Sequence, residues 1–260
     1  MCIRDRDRLQ VRLLVRSTRQ LHPTEAGQAF YERARRTLVE ADEAETAARG
    51  EGAALDGRLR VCASVTFARL HIVPRMGEFL DAHPNLSIDL VMDDRYIDLF
   101  GENIDVALRA GELADSSLTA RKLATSERLV VASPAYLATA GTPKIPSDLL
   151  DHTAIVYTQG VIAEEWRFRR GTADTSVRIP TRLACSAAEG VREAVIAGLG
   201  LAISSRWMMA PELASGSVVP VLTDWSLPLA DLWALYPSGR LPTAKARAFV
   251  SWFAGKIALV

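Results

Sequence analysis

The sequence predicts an α/β protein in which two units of alternating strands and helices follow a long N-terminal helix. Strand-like and helix-like segments alternate from residue 57 onward, an order typical of a mostly parallel sheet covered by helices. A strand that ends in cysteine and serine and leads into a helix occurs twice, at residues 61–64 and 184–187. An alanine-lined helical stripe at residues 25–48 ends at a glycine-rich linker.

The composition is that of an ordinary globular protein. Hydrophobic residues make up 49% of the 260 positions, and the 31 basic residues equal the 31 acidic ones, so no net charge draws the chain to nucleic acid. No apolar run reaches the ~18 residues of a membrane span, and no signal peptide is visible. Three cysteines at long spacing make neither a disulfide framework nor a zinc site. A reducing cytoplasm is therefore the expected compartment.

Positive charge is concentrated at the N-terminus. Residues 1–19 hold six arginines and two aspartates, which makes this segment the candidate nucleic-acid footprint, with a solvated face as the alternative. Residues 1–8 show no apolar periodicity and are interpreted as a non-native leader. A small basic hairpin is predicted at residues 11–21. Apolar and basic residues alternate along a first strand at 11–16, Ser17-Thr18 form the turn, and residues 19–21 form the return strand.

A long helix is predicted from Glu25 to Ala48, with Thr24 as its N-cap. Its 24 residues would extend roughly 36 Å. The narrow apolar seam favours pairing with another helix, and packing on a globular core is the alternative. The seam residues are Ala26, Phe30, Ala34, Leu38, Ala41, Ala44 and Ala48. Three glycines in residues 50–57 predict a domain boundary.

The two α/β units follow this linker. In the first unit we predict strands at 59–63, 86–92, 106–109 and 129–132, and helices at 67–82 and 96–102. In the second we predict strands at 154–157, 182–185, 201–204, 218–222 and 232–235, and helices at 189–197 and 244–257. Ligands of open α/β sheets bind at the carboxyl ends of strands. Ser64 and Ser186, each just after such an end, are therefore either ligand-binding residues or simple helix caps.

Signals of catalysis are absent from the sequence. It holds no G-x-S-x-G, H-E-x-x-H or phosphate-binding-loop motif, its four histidines are scattered, and no cofactor or metal is predicted. Gly198 and Gly200 follow a helix and precede a strand, which indicates a helix C-terminal glycine and a tight entry into the strand. Cys62 and Cys185 are either redox sensors or, as we favour, small core residues. No enzymatic activity is predicted.

Several segments occur in the order found in LysR-type bacterial transcriptional regulators. They are Val11–Arg19, Thr24–Gly27, Gly57–Val61, the spaced Pro74, Phe79 and Pro84, Ile104–Arg109, Ala132–Leu137 and Ala197–Leu201. From about residue 9 to its end the chain resembles that family. The resemblance implies the wing of a winged helix-turn-helix (residues 1–23), a dimerising linker helix (24–52) and an effector domain (57–260). This domain would be two-lobed, like type 2 periplasmic binding proteins.

The resemblance also implies limits for the lobes and a set of partners. Lobe I would take residues 58–130 and 235–260, lobe II residues 131–234, with crossovers near Leu129–Ser133 and Asp231–Leu235. The implied partners are a small-molecule effector, DNA, and further copies in a homodimer or homotetramer joined through the linker helix, with no membrane. Since few residues precede the wing, we expect most of the helix-turn-helix to be missing and operator binding by these 260 residues to be non-specific.

The site residues carried over from the family fall into two sets. The effector contacts are Ser64, Thr66, Phe67, Arg109, Ala110 and Ser186. The contacts to the DNA backbone are Arg12, Arg16 and Arg19. Hydroxyls and backbone N–H groups would hold a small carboxylate, aromatic ones included. The alternatives are a salt bridge from Arg109 to Glu112 or Asp105, and core packing for Phe67.

Two other classes of protein are alternatives to a regulator. A stand-alone solute-binding protein of the same fold would need an export signal and would not need the long helix. An enzyme on this fold would need a set of reactive side chains in the cleft, and the only candidates in the sequence are Cys62 or Cys185 with a histidine.

Overall fold

The computed structural model describes residues 9–16, 21–31, 33–34, 37, 41, 55–111, 118–158, 165–237 and 242–257. The chain forms two compact units, Met1–Ala54 and Leu55–Val260. This division falls within the predicted glycine-rich linker. None of the helices in the described ranges has the length and hydropathy needed to cross a bilayer.

The first unit begins with the predicted hairpin. Strands β1 (Leu14–Arg16) and β2 (Leu21–Pro23) pair antiparallel, so the return strand begins two residues later than predicted. Helix α1 follows, with helical backbone at residues 25–31, 33–34, 37 and 41. Thr24 is its N-cap as predicted, because its Oγ1 accepts the N–H of Gly27 at 2.9 Å. The proposed leader at residues 1–8 and the helix predicted beyond residue 41 lie outside the described residues.

The second unit is built from twelve strands of the described ranges and five helical segments. The strands are β3 (Gly57–Ala63), β4 (Leu86–Met92), β5 (Val106–Ala110), β6 (Thr119–Ser126), β7 (Arg128–Ala132), β8 (Ala154–Tyr157), β9 (Glu165–Arg170), β10 (Ala173–Arg178), β11 (Thr181–Cys185), β12 (Ala202–Ser205), β13 (Val219–Val221) and β14 (Ala230–Tyr236). The helical segments are α2, which spans 65–82, α3 (Pro134–Ala140), α4 (Ala188–Ile196), α5 (Ala210–Ser215) and α6 (Ala244–Ile257). Single 3-10 segments lie at Pro146–Asp151 and Arg206–Met209.

Lobe I is a five-stranded sheet with helices α2 and α6 packed against it. The strand order is β4-β3-β5-β14-β6, with β3 parallel to β4 and β5, and β14 antiparallel to β5 and β6. Its core is rich in aromatic side chains: Phe67, Phe79, Trp207, Phe249 and Phe253. Helix α2 is irregular, with a π turn at Ala68–Ile72 and a 3-10 turn at Val73–Arg75, because Pro74 has no N–H to donate to an α-helical bond.

Lobe II is assembled from smaller pieces. Strand β7 lies between β12 and β13 and is antiparallel to both, and β8 pairs in parallel with β11. A parallel bridge between Ala154 and Leu201 joins these two pieces. Strands β9 and β10 form an antiparallel hairpin that the sequence did not predict. In that hairpin Trp166 and Phe168 are buried while the alternate positions are exposed.

The chain passes between the lobes next to β7 and β14, the strands that overlap the predicted crossovers at Leu129–Ser133 and Asp231–Leu235. Strand β7 pairs with lobe II strands, so the chain enters lobe II between Ser126 and Arg128. Strand β14 pairs along its whole length with lobe I strands, so the chain returns to lobe I before Ala230.

The helix predicted at residues 96–102 is wrong, since residues 96–98 have no regular structure and residues 99–102 form a turn. The Asp98 side chain accepts the N–H of Phe100 at 3.0 Å, and Asn103 adopts a left-handed conformation with φ of 58°. Both arrangements give the backbone an alternative to the helix. Strand β6 was not predicted because it is an edge strand whose residues are mostly exposed and show no apolar alternation.

Candidate functional site

A cavity of about 470 Å³ lies between the two lobes. It is lined by the carboxyl ends of strands from both lobes and by residues where the chain crosses between them. A volume in this range accommodates a small organic ligand.

Lobe I supplies one wall of the cavity from three neighbouring parallel strands. Ser64 follows β3, Asp94 follows β4, and Ala110 ends β5. Since β4, β3 and β5 are adjacent and parallel, their carboxyl ends lie at one edge of the sheet. The sequence thus folds so that residues 46 positions apart meet at one surface.

Lobe II supplies the facing wall. Tyr157 ends β8 and Ala188 opens α4 just after β11, the parallel partner of β8. Trp166 from β9 adds a buried aromatic side chain, only 6% exposed. Arg128 and Ala230, which begin β7 and β14, line the cavity beside the two crossings.

Three of the six predicted effector residues line the cavity: Ser64, Arg109 and Ala110. Phe67 is instead 1% exposed and packs edge-on against Trp207 and Phe253, so the alternative of core packing describes it. Ser186 is exposed and lies outside the cavity lining, and the N-cap of α4 is Ala187. Ser64 stands at the N-cap of α2, but its side chain makes no capping hydrogen bond.

Thr66, the remaining predicted residue, contacts the other lobe. It is completely buried, and its hydroxyl donates to Glu189 Oε2 on α4 at 2.9 Å. Arg69 donates to both oxygens of the same carboxylate, at 3.0 and 3.1 Å. Although burial acts to raise the pKa of Glu189, the bonds from Thr66 and Arg69 outweigh it, so the pKa lies below its ordinary value. Glu189 therefore ties lobe II to α2.

Arg109 lines the cavity, and its guanidinium donates hydrogen bonds to backbone carbonyls of the protein. Its Nη1 donates to the carbonyl of Asp93 at 2.7 Å, and its Nη2 donates to the carbonyl of Arg95 at 2.6 Å. The guanidinium also lies 5.8 Å from the centre of the Tyr96 ring. The effector contact of Arg109 stays a prediction, and Glu112, one of its two alternative salt-bridge partners, lies outside the described residues. Arg109 fixes the loop that carries Asp94.

Asp94 is a charged cavity residue that sequence reasoning missed, as it also missed the aromatic Tyr157 and Trp166. Asp94 is 6% exposed, and its Oδ1 accepts the N–H of Val65 at 3.3 Å. The backbone N–H of Ala188, in the other lobe, acts on this carboxylate and lowers its pKa. Burial nevertheless raises the pKa of Asp94, because the N–H groups of Val65 and Ala188 and the charge of Arg109 oppose it only in part. Its place directly after a parallel strand was the available signal, because carboxyl ends of such strands meet at the ligand edge.

Redox and metal chemistry find little support in the described residues. Burial raises the pKa of the completely buried Cys62 thiol, and the nearby Arg109 opposes this only in part, so the reactive thiolate is disfavoured. Within the described ranges, no group of three or more histidine, cysteine, aspartate or glutamate side chains is arranged to hold a metal ion.

Comparison with known proteins identifies the family. Residues 52–258 match the model of the LysR substrate binding domain. The chain belongs to the LysR-type transcriptional regulator family. These regulators are not enzymes, and the LysR effector-binding domain accounts for the two lobes and the cavity between them.

Curated relatives of this LysR-type chain cover nearly all of it. The regulator PtxR of Pseudomonas aeruginosa is 34% identical over 244 residues, which are 93% of this chain and 78% of the relative. A Haemophilus influenzae HTH-type transcriptional regulator is 31% identical over 234 residues, 90% of this chain and 81% of the relative.

Solved LysR-type structures have the same fold. The regulator CrgA of Neisseria meningitidis superposes with a TM-score of 0.71 at 30% identity, covering 98% of this chain and 86% of that one. The isolated regulatory domain of CrgA gives 0.69 at 28% identity and covers 77% and 98%. The two-lobed fold predicted from the sequence is confirmed.

Proposed function

We propose that this LysR-type regulator senses a small carboxylate, aromatic ones included, in the cavity between its lobes. The observation that supports this most directly is the cavity itself, which both lobes line at the carboxyl ends of parallel strands. Ser64 supplies a hydroxyl, and Tyr157 and Trp166 supply aromatic surface for an apolar part of the ligand.

The ligand would act by favouring one arrangement of the lobes over another. A ligand shifts such an equilibrium only by its differential affinity for the two arrangements. Because this cavity is lined from both sides, its ligand contacts change with the angle between the lobes. In the proposal, copies joined through α1 as a homodimer or homotetramer pass this change to the DNA-binding heads.

The effector site is tested by a matched pair of serine variants. We expect a series of small carboxylates, screened by thermal shift, to contain compounds that raise the melting temperature of the wild-type chain. Ser64→Ala should weaken binding of such a compound by about fivefold to tenfold, as expected for loss of one hydrogen bond. Ser186→Ala is the control and should leave affinity unchanged, because Ser186 lies outside the cavity lining. Equal affinities for all three proteins would remove Ser64 from the site.

DNA contacts are proposed for the hairpin arginines Arg12, Arg16 and Arg19. Arg12 is exposed next to β1, whereas the Arg16 side chain and all of Arg19 lie outside the described residues. Contacts of this kind bind phosphates and carry no sequence information by themselves.

Salt titration tests the proposed role of Arg12. We expect Arg12→Ala to weaken binding to a random DNA duplex and to lower the slope of log affinity against log salt by about 1. The control is Arg182→Ala, which removes an exposed arginine of β11 in lobe II and should leave the slope unchanged. An Arg12→Ala slope equal to that of the wild type would argue against the contact.

A further inference from the structure

Asp94 lies between backbone N–H groups of the two lobes. Its Oδ1 accepts the N–H of Val65 in lobe I at 3.3 Å, and the N–H of Ala188 in lobe II acts on the same carboxylate and lowers its pKa. Both donors follow the carboxyl ends of strands, β3 and β11, and Ala188 lines the cavity. Backbone N–H groups that converge on one carboxylate from two lobes are the donors that a bound carboxylate would need.

The loop that carries Asp94 is held from both sides. Arg109 donates to the carbonyls of Asp93 and Arg95, directly before and after Asp94. The hydroxyl of Tyr157, in lobe II, donates to the carbonyl of Asp94 at 3.3 Å. These bonds hold the main chain of the loop and connect it to lobe II through the Asp94 carbonyl, and none of them involves the Asp94 carboxylate.

The seated Asp94 carboxylate carries an energetic cost. Burial raises its pKa in spite of the backbone N–H groups of Val65 and Ala188 and the nearby Arg109, so these partners do not fully replace the water that the ionised group has lost. Movement of Asp94 into solvent would recover that hydration. A competing anion then needs to interact with the same two N–H groups.

We infer that the Asp94 carboxylate is an internal occupant of the anion position between the lobes, which an effector carboxylate displaces when it binds. This inference rests on the proposed effector function and gives it a two-state element. With Asp94 seated, the protein itself bridges the lobes. With Asp94 displaced, the effector makes the bridge and the 93–95 loop is released from Ala188.

The inference predicts that removing Asp94 strengthens the binding of a simple carboxylate. Benzoate is the probe, because it combines a carboxylate with a ring that Tyr157 and Trp166 can contact. Binding is measured by calorimetric titration of benzoate into the full chain, and Asp94→Ala should bind it at least about tenfold more tightly than wild type. In wild type only the fraction of molecules with Asp94 displaced can bind benzoate, and the apparent affinity is lowered by that fraction. Asp94→Asn keeps the shape without the charge and should also bind more tightly than wild type.

Asp93→Ala is the matched control. It removes a carboxylate from the adjacent position, where the side chain pairs with Arg95. Its benzoate affinity should stay within about twofold of wild type, since no competitor is removed. An equal gain in Asp93→Ala would show an effect of charge alone and overturn the inference.

Two further outcomes separate this inference from the proposed function. Equal benzoate affinity in wild type and both Asp94 variants overturns displacement, while the effector site remains open to the Ser64 and Ser186 test. An absence of benzoate binding in every variant likewise overturns displacement. If Asp94→Ala does not fold, Asp94→Asn decides. Tighter benzoate binding by Asp94→Asn than by wild type supports displacement, and unchanged binding overturns it.

Discussion

Phe67→Ala is expected to lower the free energy of unfolding of the effector domain by about 3–5 kcal/mol, the usual cost of truncating a buried phenylalanine. The ring is 1% exposed and contacts three aromatic side chains, with centroid distances of 5.0 Å to His71, 5.9 Å to Trp207 and 6.0 Å to Phe253. Since Trp207 follows β12 of lobe II, the deletion would loosen a contact that connects the lobes as well as the core of lobe I. Urea denaturation measures the change.

Tyr96→Ala is the control for Phe67→Ala. This substitution also removes an aromatic ring, but Tyr96 is 73% exposed and lines the cavity. Its truncation should change the free energy of unfolding by no more than about 0.5 kcal/mol. A stable Phe67→Ala protein with impaired ligand binding would return Phe67 to the effector site and contradict its placement in the core.

Gly200→Ala is expected to destabilise lobe II by roughly 3 kcal/mol. A Cβ at this position would lie 2.5 Å from the carbonyl oxygen of Thr153. That carbonyl has little freedom to move, because it accepts the N–H of Leu201 at 2.9 Å and lies beside the bridge that joins the two pieces of lobe II. The clash therefore acts on the backbone at the junction of those pieces, and thermal unfolding should show a lower melting temperature.

Gly255→Ala provides the comparison for Gly200→Ala. Gly255 lies on the exposed face of α6, and a Cβ there would meet no atom within 4 Å. Alanine should raise the free energy of unfolding by about 0.5–1 kcal/mol, because it favours the helix. Comparable destabilisation by both alanines would show that the close approach at Thr153 does not matter.

Much of the fold follows from local patterns. Strands β4 and β8 and helix α6 have the predicted limits, since each is marked by turn residues or a clear apolar periodicity. Gly198, with φ of 75°, ends α4 as its position between a helix and a strand predicted. Strand β6 carries no such signal, because its mostly exposed residues depend for their structure on pairing with β14, which is distant in sequence. Strand β9 does alternate Trp166 and Phe168 with charged residues, a signal that the sequence prediction did not use.

The site was predicted less completely than the fold. Ser64 was predicted from its place after a strand, and Ala110 from the resemblance to the family; both line the cavity. The contacts of Arg109 with two carbonyls, and of Asp94 with both lobes, depend on the path of a loop and on the closeness of α4. Neither is encoded in spacing along the chain. The same holds for Thr66, whose partner Glu189 lies 123 residues away.

The place of β14 between β5 and β6 affects how the domain is made during synthesis. Lobe II uses one continuous stretch of chain, from β7 to β13, and can assemble as soon as that stretch leaves the ribosome. The lobe I sheet stays split into two parts until residues 230–236 arrive, and its aromatic core waits for α6. A nascent chain thus completes its second lobe before its first, and the cavity can form only after β14 has been made.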